Sequence, residues 1–396
     1  MSSKATIAIV GQVRDVVVVG AGVVGSAIAY ELSRRGADVL VVDYRGVGRG
    51  ATQASAGMLA PYSEADRPGP LLTLGVRSLD LYDDFIDNVR ADSGRAVAYA
   101  RDGTLQVAVD EWEAERIERW AIELTASNVP CSFLDAAAAR SAEPLLTPHA
   151  RAAILIRAHG HVAARELALA LVEAARARGA TWHEPEPVRR VAALDRDMRV
   201  ETSTSAIVAR RVVLAAGSWS GSVAIEGLPP VPVRPVRGQL LQLAWSGEPL
   251  RRIVWGSGCY CVPMSDRSVL VGATVEDVGF DERATVDGVR GLLDAACALV
   301  PRAVEAGFLE ARVGLRPGTP DALPVVGPAG GMPGLVYATG HYRNGVLLAP
   351  LTAAFVADLV IDGRRDPALD GLSPDRFSAD PPGPLLDETH HAQPEV

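Results

Sequence analysis

The chain has 396 residues and a formal net charge of −9, with 48% hydrophobic and 22% charged residues. This composition is typical of a globular protein of two or three domains, and the acidic balance argues against a surface for nucleic acid. Because no run approaches about 18 uninterrupted apolar residues, we expect no membrane span. The four cysteines form no C-x-x-C pair, so we expect reduced thiols in a cytoplasmic protein, with Cys259 and Cys261 on opposite faces of one strand.

The first predicted unit is a strand, a glycine-rich turn, a helix and a second strand. Its parts, in order, are the run Val16 to Val19, the turn Gly20-Ala21-Gly22-Val23-Val24-Gly25, a helix that Gly36 ends, and the run Val39 to Val42. Gly20 permits the tight bend, Gly22 lets a pyrophosphate approach the backbone, and Gly25 lets helix and strand pack closely. The helix N-terminus offers free N–H groups to phosphates, and Asp43 can accept hydrogen bonds from a ribose. The unit therefore predicts a dinucleotide-binding site.

The segment after Asp43 is rich in small and hydroxyl-bearing residues. Because its later part lacks the charges of a solvated loop, we expect it to pack against a flat ligand, with a flexible surface loop as the alternative. The residues expected there are Tyr44, Arg45, Ala51, Thr52, Ser55, Ala56, Gly57 and Met58. Two helices are predicted further on, near Arg77 to Val89 and from Glu111 to Leu124.

The middle of the chain has a helical pattern followed by two strands. The elements are a helix that ends at Gly179 and the strands Val188 to Leu194 and Ala206 to Leu214. The last strand runs into small residues, which permit a ligand to approach the backbone at its carboxyl end. The residues expected to do so are Ala216, Gly217 and Trp219. His159 and His161 have no further ligand at a suitable spacing, so we expect turn residues and no metal site.

The last third of the chain is rich in predicted strands. The predicted elements are the strands Leu240 to Trp245, Ile253 to Val262 and Val269 to Val271, the helix Thr285 to Val300, the strand Leu335 to Gly340 and the helix Val346 to Ile361. The first three strands predict an antiparallel sheet. The last strand delivers the sequence His341-Tyr-Arg-Asn-Gly345 to the start of the last helix.

Seven motifs together resemble the D-amino-acid-oxidase family of FAD-dependent amine oxidases. They are Gly20 to Gly25 with Asp43, Ser55 to Met58, Ala216 to Trp219, Arg234 to Gln239, Gly272 to Phe280, Gly314 to Pro317 and Gly340 to Gly345. The combination of Arg-Pro-Val-Arg-Gly-Gln and His-Tyr-Arg-Asn-Gly is much more specific than the nucleotide-binding turn. The matches span roughly residues 14 to 372, which is nearly the whole chain.

The resemblance implies a mixed α/β fold, in which a Rossmann-like FAD-binding domain is joined to a substrate domain built on a large antiparallel sheet. The expected FAD-binding domain is discontinuous and comprises residues 14–77, 149–233 and 316–373. The expected substrate domain comprises residues 78–148 and 234–315, and residues 1–13 and 374–396 are expected to be loose tails.

The resemblance also implies a substrate site. Arg316 would clamp a substrate carboxylate, Arg343 would add a second positive charge, and Tyr260 would donate its hydroxyl to the same carboxylate. From the residues alone, the two arginines could instead join the domains by salt bridges, and the tyrosine could be an ordinary strand aromatic. Members of the family can carry a histidine where this chain has Gly258, so we expect the pocket or the substrate range to differ.

Further contacts to FAD are implied in the same way. Val188 would contact the adenosine half of FAD through its backbone. The remaining residues expected near FAD are Gly340, His341, Asn344, Gly345 and Val346, together with Arg316 and Arg343. No cysteine is placed to match the covalent flavin link of one branch of the family, so we expect FAD to be bound noncovalently.

The implied reaction is the FAD-dependent oxidation of a small amino acid. Glycine is the expected substrate, with sarcosine and small D-amino acids beside it, and the products are an oxo acid, ammonia and, from O2, hydrogen peroxide. The resemblance further implies a role in thiamine thiazole synthesis and a homo-oligomer, namely a tetramer. Three alternatives stay open: a dehydrogenase that passes electrons to another carrier, a flavin domain that serves tRNA modification, and a catalytically silent FAD-binding protein.

Overall fold

The structure is a computed structural model that describes residues 12–65 and 68–377. Its strands are β1 Arg14–Val19, β2 Val39–Val42, β3 Met58–Leu59, β4 Tyr99–Ala100, β5 Thr104–Ala108, β6 Cys131–Asp135, β7 Ala152–Ile156, β8 Gly160–Val162, β9 Thr181–His183, β10 Val188–Leu194, β11 Asp197–Thr202, β12 Ala206–Leu214, β13 Ala224–Ile225, β14 Arg234–Ala244, β15 Ile253–Trp255, β16 Tyr260–Pro263, β17 Ser268–Gly272, β18 Gly307–Gly318, β19 Val325–Ala329 and β20 Met332–Thr339. Its helices are α1 Val23–Arg34, α2 Pro61–Glu64, α3 Pro70–Asp80, α4 Tyr82–Ser93, α5 Glu111–Ala126, α6 Ala136–Ala142, α7 Ala164–Ala177, α8 Val286–Leu299 and α9 Gly345–Ala357.

A nine-stranded sheet has β1 near its centre, with β2 and β12 parallel to it on either side. Val19 at the end of β1 is aligned with Val42 of β2 and Leu214 of β12. The turn after β1, Asp43 and the small residues after Leu214 therefore meet at one edge of the sheet. This is the edge at which parallel α/β sheets bind their ligands, and the predicted strand–helix–strand unit is confirmed.

Helices α1, α7 and α9 cover one face of this sheet. They contribute fully buried side chains to a common core, among them Ile28, Leu167, Leu171 and Val356. Gly36 adopts φ +90° directly after α1, so the helix ends as its glycine predicts. The residues after β1 are thereby held between a rigid sheet and a buried helix.

The last helix carries a proline in its interior, and side chains of two neighbouring helices donate hydrogen bonds to its carbonyl groups. Pro350 has no N–H, so the carbonyl of Val346, four residues earlier, has no partner within α9. The buried hydroxyl of Tyr82 donates a hydrogen bond to that carbonyl at 2.5 Å. Ser78 likewise donates to the carbonyl of Leu347 at 2.6 Å. The N-terminal turn of α9, which faces the cleft described below, is thus fixed by α3 and α4.

We expect Tyr82→Phe to lower the free energy of unfolding by about 1–3 kcal/mol, because the buried carbonyl of Val346 would lose its donor. Urea unfolding at equilibrium measures this loss. Pro350→Ala is the matched background, since it restores an N–H to the helix. In that background Tyr82→Phe should cost clearly less, and equal costs in both backgrounds would contradict this account of Tyr82.

The second large sheet has eight strands in the order β18-β14-β17-β16-β15-β5-β7-β6. Its neighbours are antiparallel except for the pair β5 and β15. The predicted strand Ile253 to Val262 is wrong as a single element, because residues 256–259 turn and split it into the hairpin β15–β16. The large, mainly antiparallel sheet itself is confirmed.

The expectation for two cysteines is also wrong. Cys259 and Cys261 are buried in the same apolar cluster, with Cys297 of α8 packed against it. Side chains two residues apart in an extended chain lie on the same face, which is the reason. All four cysteines are free thiols, as expected.

Two predicted helices differ from the structure. The helix near Arg77 to Val89 is two helices, α3 and α4, which meet at Leu81. The last helix ends at Ala357 and continues as a single wider turn over Asp358–Asp362.

The segment Gly345–Asp362 is long and apolar enough to cross a membrane, with a mean hydropathy of 1.8, but 61% of it is buried inside the protein. Most of this segment packs inside the protein, as the core helix of a globular fold does.

The domain boundaries stay a prediction. The strand β7, which falls in the predicted FAD-binding segment 149–233, pairs in the eight-stranded sheet. Of the predicted tails, residues 1–11 and 378–396 lie outside the described residues. Within the described part, Pro374–Phe377 forms a 3₁₀ turn, and Arg376 pairs with Asp321 at 2.7 Å, so that end of the chain is attached to the fold.

Candidate active site

A cleft of about 2200 Å³ runs from the carboxyl edge of the nine-stranded sheet across the eight-stranded sheet. Most of the residues predicted to hold cofactor or substrate line it. They are Gly20, Gly22, Val23, Val24, Asp43, Tyr44, Arg45, Ala51, Thr52, Ser55, Ala56, Gly57, Met58, Val188, Ala216, Gly217, Trp219, Gly258, Tyr260, Arg316, His341, Arg343, Gly345 and Val346. Gly25, Gly340 and Asn344 are not among its lining residues and lie behind the surface.

The three glycines of the turn have three different surroundings. A Cβ on Gly20 would lie 2.4 Å from the carbonyl oxygen of Ala215, and one on Gly25 would lie 2.0 Å from that of Gly20. These two glycines are required by packing within the protein. A Cβ on Gly22 would meet only the hydroxyl of Thr52, at 3.7 Å, and its φ of −70° suits any residue. The protein therefore leaves space at Gly22, as a backbone cradle for a pyrophosphate requires.

Asp43 organises the edge of the cleft. One carboxylate oxygen accepts a hydrogen bond from the N–H of Ala21 at 2.7 Å, and the other accepts from Arg45 at 2.6 Å and Gly46 at 2.7 Å. The carboxylate thus joins the turn after β1 to the loop after β2. Its place at the end of the second strand agrees with the predicted ribose contact, which stays a prediction.

The loop after Asp43 packs against the cleft rather than lying loose on the surface. The hydroxyl of Thr52 accepts a hydrogen bond from the N–H of Val23 at the start of α1, at 3.1 Å. Gly57 has φ +70°, and a Cβ there would lie 1.7 Å from the carbonyl oxygen of Val162. Arg45 lies 4.6 Å from the ring of Trp219 and pairs with Glu282 at 2.8 Å. Small residues at this wall let the loop approach its neighbours closely.

Gly340 and Asn344 lie behind the wall of the cleft near α9. Gly340 has φ +74°, and a Cβ there would lie 2.6 Å from Thr319. Asn344 is buried directly before the first turn of α9.

His341 is buried, and its Nε2 lies 3.0 Å from the hydroxyl of Thr352. Burial lowers the pKa of His341 to about 4, so the imidazole is neutral at pH 7. Gly345 and Val346 line the cleft, and their N–H groups, as the first of α9, have no partner within the helix.

Arg316 lies on β18, the edge strand of the eight-stranded sheet. Its Nη1 donates hydrogen bonds to the carbonyl oxygens of Thr274 at 2.9 Å and Arg237 at 3.3 Å. In the part of the chain that the structure describes, no carboxylate pairs with its guanidinium within 4.0 Å. A Cβ on Gly238 would lie 2.3 Å from Nη1, so glycine there leaves the room that Arg316 occupies. Burial lowers the pKa of Arg316, but a guanidinium stays protonated in proteins.

Tyr260 lies on β16 in the middle of the same sheet. Its ring meets that of Trp255 edge to face, with centroids 5.7 Å apart. A Cβ on the facing Gly272 would lie 2.4 Å from the Tyr260 hydroxyl, so glycine again leaves the room for a polar group of the cleft. Burial raises the pKa of Tyr260 to about 12, and the nearby Arg316 opposes the shift. The hydroxyl is therefore protonated and able to donate a hydrogen bond at physiological pH.

Arg343 follows β20 and pairs with a residue that the sequence did not single out. Its Nε lies 3.4 Å from Oε2 of Glu64, whose side chain is 8% exposed. Glu64 ends the short helix α2 and lines the cleft, and its Oε2 accepts no hydrogen bond within the described chain. The only sequence signal was an acidic residue two positions after the run from Met58 to Tyr62. Arg316, Arg343 and Glu64 together present two positive charges and one negative charge.

Helix α2 is held from behind by His159. The imidazole stacks on the ring of Tyr62, with centroids 5.6 Å apart, and its Nε2 accepts a hydrogen bond from the Tyr62 N–H at 3.3 Å. His159 and His161 are both buried, and no cluster of three metal-binding side chains exists among the described residues. His159 thus supports the segment that carries Glu64.

Stability should fall below about pH 6.5 because of His159. Burial, assisted by the charge of Arg101, lowers the pKa of this histidine in the folded protein from 6.5 to about 3. The unfolded chain therefore binds a proton below pH 6.5 that the folded chain excludes, and acidification favours unfolding. Between pH 6.5 and 5 the loss approaches about 1.4 kcal/mol per pH unit for this group. Urea unfolding of His159→Gln should show a shallower pH slope than the wild type, and equal slopes would contradict the assignment.

The comparisons with known proteins agree with this architecture. Residues 15–359 match the family described as DAO, FAD dependent oxidoreductase. Because this match spans most of the chain, the protein belongs to that family of FAD-dependent oxidoreductases. The computed structural model is similar to the crystal structure of glycine oxidase from Geobacillus kaustophilus, with a TM-score of 0.88 and 34% identity over 92% of this chain and 98% of that chain.

Curated relatives of similar sequence include glycine oxidases. The chain is 35% identical to the glycine oxidase of Geobacillus kaustophilus, over 90% of this chain and 94% of the relative. It is 32% identical to the glycine oxidase of Pseudomonas putida, over 88% of this chain and 94% of the relative. The bifunctional protein ThiO/ThiG of Nostoc sp. is 36% identical over 90% of this chain but only 54% of its own length. The chain therefore spans about half the length of that bifunctional relative.

The cofactor of the family is FAD, and the residues present fit it. The space at Gly22 and the first turn of α1 fit the phosphates. The N-terminus of α9, whose residues Gly345 and Val346 line the cleft, would stabilise negative charge on the ring. No cysteine lines this part of the cleft except Cys259, whose side chain is buried in the core on the other face of the second sheet. Noncovalent binding of FAD stays a prediction.

Proposed function

We propose that the protein oxidises glycine, and beside it sarcosine or small D-amino acids, to glyoxylate or the matching oxo acid. The observation that carries the proposal is the placement of Arg316 and Tyr260. A guanidinium with no carboxylate partner among the described residues and a protonated phenol share one end of the cleft, and glycines at 238 and 272 make room for both. This pair suits the carboxylate of a small amino acid.

Each of the polar residues has a separate task in this proposal. Arg316 binds the substrate carboxylate by two hydrogen bonds and fixes its orientation, and Tyr260 donates a further one. Arg343 adds positive charge, which Glu64 partly offsets, so a zwitterion is favoured over a simple anion. Glu64 offers a negative charge to the ammonium group. FAD, when bound, supplies the chemistry by accepting two electrons with the hydrogen from the substrate Cα, and O2 takes them up as hydrogen peroxide.

The reaction balances as glycine, O2 and water giving glyoxylate, ammonia and hydrogen peroxide. The amine must be neutral when the hydrogen leaves Cα, and the proton passes to solvent in this scheme. The names of the curated relatives, which are oxidases, favour O2 over another electron carrier. The pairing of ThiO with ThiG in the name of the Nostoc relative supports a supply of the product to thiamine thiazole synthesis.

The test of this proposal is peroxide formation by the purified holoenzyme under air. Glycine, sarcosine and D-alanine are compared at equal concentrations, with L-alanine as the control. We expect stoichiometric peroxide from glycine and none from L-alanine. If glycine is consumed only with an added electron carrier and no peroxide forms, the dehydrogenase alternative is correct instead.

We also propose a cytoplasmic homo-oligomer, with the tetramer that the resemblance implies. Free thiols at all four cysteines support a reducing compartment. Exposed apolar side chains at the start of α8, just before β18 and at the start of β18, the edge strand of the second sheet, support association. They are Val286, Val304, Phe308 and Leu309. Light scattering at several protein concentrations tests this, and a mass that stays at 41.6 kDa would contradict it.

A further inference from the structure

We propose that the segment 273–284, which joins β17 to α8, is a latch at the FAD end of the cleft. We call this segment the strap. Its Phe280 contacts Trp219 and its Glu282 contacts Arg45, both on the loops of the first sheet. These contacts must separate before FAD can enter or leave. The inference concerns the retention of the cofactor, so it does not depend on which amine the protein oxidises.

Both ends of the strap are fixed to β14 of the second sheet. The N–H of Arg237 donates a hydrogen bond to the carbonyl of Glu276 at 2.9 Å, and the N–H of Glu276 donates to the carbonyl of Arg237 at 3.0 Å. At the other end, Oε1 of Gln239 accepts a hydrogen bond from the N–H of Thr285 at 2.9 Å. The strap is therefore anchored both where it leaves β17 and where it enters α8.

The side chain of Arg237 strengthens this anchor. It is only 5% exposed, and its guanidinium pairs with Glu276 and, at 3.0 Å, with Asp281, which are both residues of the strap. If the base of the strap left β14, the buried guanidinium would lose these two carboxylate partners. Breaking a buried ion pair costs much more than breaking an exposed one. The base of the strap should therefore move with the second sheet as one unit.

The tip of the strap reaches the loops of the first sheet. Gly279 has φ +63°, a conformation that favours glycine, directly before Phe280. The guanidinium of Arg45 lies 4.6 Å from the centre of the Trp219 ring. The strap meets this pair twice, because the ring centroids of Phe280 and Trp219 are 5.8 Å apart and Glu282 pairs with Arg45 at 2.8 Å. We call these two the tip contacts, and they join the second sheet to the loops after β2 and β12.

The strap passes along the cleft at the end where the dinucleotide is expected. Its residues Val275 and Asp277 line the cleft, and so do Arg45 and Trp219 on the side of the first sheet. The N–H of Arg45 donates a hydrogen bond at 2.6 Å to Asp43, the predicted ribose contact. The tip contacts thus close the cleft beside Asp43, and FAD bound there would lie behind them.

The tip contacts are easier to break than the anchor. The side chains of Arg45 and Glu282 are 28% and 31% exposed, and Phe280 is 50% exposed. An ion pair in contact with water is weak and is screened by salt. A small cavity adjoins the contacts, so these side chains are not closely packed; it is lined by Tyr44, Arg45, Trp219, Ser222, Phe280 and Glu282. The strap should therefore open at its tip and stay attached at its base.

Phe280 and Glu282 act on FAD only through their partners. Neither residue lines the cleft, whereas Arg45 and Trp219 do. A substitution at Glu282 therefore removes a tip contact and leaves the surface that binds FAD unchanged. The rates of FAD entry and release then give a specific readout, because a latch slows both of them. A contact that only adds affinity slows release alone.

The first test measures the release of FAD from the purified holoenzyme. Dilution in the presence of a phosphodiesterase, which hydrolyses free FAD to the more fluorescent FMN, makes release irreversible and visible. We expect Glu282→Gln and Phe280→Ala to release FAD at least tenfold faster than the wild type. The matched controls are Asp287→Asn, at an acidic residue of α8 that is 88% exposed, and Phe308→Ala, at a residue of β18 that is 53% exposed. Both controls should release FAD at the wild-type rate.

The second test measures the entry of FAD into the apoprotein, followed by stopped-flow fluorescence. Glu282→Gln should take up FAD at least fivefold faster than the wild type, because entry also requires the tip contacts to separate. Faster release with unchanged uptake would make Glu282 a contributor to affinity and would refute the latch. Unchanged release would refute it as well.

A double variant tests whether Glu282 acts through Arg45. Once Arg45→Gln has removed the partner, adding Glu282→Gln should change the release rate by less than twofold. If the two substitutions multiply each other's effects, Glu282 does not act through Arg45 and the latch is refuted.

Two further measurements separate the latch from a general loss of structure. Glu282→Gln keeps the size of the side chain, so it tests the latch even if Phe280→Ala does not fold. The urea midpoint of its apoprotein should match that of the wild type, and a midpoint that falls together with faster release would refute the latch. With FAD in excess, kcat and KM for glycine should stay within twofold. If the protein oxidises no amine, the proposed function fails, whereas the rates of FAD entry and release still test the latch.

Discussion

Arg316→Ala should lower kcat/KM for glycine by about 30- to 5,000-fold while FAD stays bound. The estimate corresponds to the loss of about 2–5 kcal/mol when one partner of a desolvated charge pair is removed. The loss should appear mainly as a rise in KM, because the guanidinium binds the carboxylate before and during the reaction alike. Steady-state kinetics and the flavin absorbance of the purified variant measure the two effects.

The matched control is Arg290→Ala, which removes an arginine on the exposed face of α8 that is 71% exposed and, among the described residues, forms an ion pair with Asp287 alone. It should keep both kinetic constants, since it removes the same charge at a distance from the cleft. Unchanged binding of glycine in Arg316→Ala would remove Arg316 from the carboxylate site. Loss of FAD in Arg316→Ala would instead assign Arg316 to the cofactor site or to the fold.

Gly22→Val should fold but lose FAD, which is the second large effect. The backbone of Gly22 is extended, with φ −70°, and its Cβ would meet only Thr52 at 3.7 Å. The new side chain is therefore tolerated by the protein and projects into the space for the pyrophosphate. We expect a colourless protein whose circular dichroism and oligomeric state match those of the apoprotein. Fluorescence titration with FAD measures a loss of affinity of at least a hundredfold.

The comparison with Gly25→Ala makes this test specific. There a Cβ would lie 2.0 Å from the carbonyl oxygen of Gly20, so the packing of α1 on β1 must change and the free energy of unfolding should fall. A yellow and fully loaded Gly22→Val would show that the turn after β1 does not hold the cofactor. Equal destabilisation by both substitutions would show that Gly22 serves packing as Gly25 does.

The elements with a strong local pattern could be predicted from the sequence. The unit from Val16 to Asp43 was predicted because each of its parts has its own signal: β-branched strands, glycine at two packed positions, and a glycine helix end. The hairpin β15–β16 was missed although Gly256-Ser257-Gly258 is a turn signal, because the apolar residues on both sides of it were taken as one strand. The position of Arg316 in the cleft depends on pairing between distant strands, and only the resemblance to a known family pointed to it.

Residues that act through tertiary pairing were the ones the sequence missed. Glu64 has no local pattern, and its place in the cleft comes from its contact with Arg343, 279 positions later in the chain. Tyr82 lies in the predicted helix near Arg77 to Val89 with no signal of its own, yet its hydroxyl replaces the hydrogen bond that Pro350 removes from α9. Arg116 lies in the predicted helix Glu111 to Leu124, and the structure places it on the wall of the cleft. In each case the partner lies on another element, which no window along the sequence contains.

The central claim is that FAD lies along the turn after β1 and that glycine binds beyond it at Arg316 and Tyr260. An anaerobic titration of the purified holoenzyme with glycine, followed by the flavin absorbance, tests it most directly. The account predicts a yellow protein with one FAD per chain, whose absorbance near 450 nm is lost as glycine is added and returns with air. A protein that is colourless and does not take up added FAD, or a bound flavin that no small amine reduces, would contradict it.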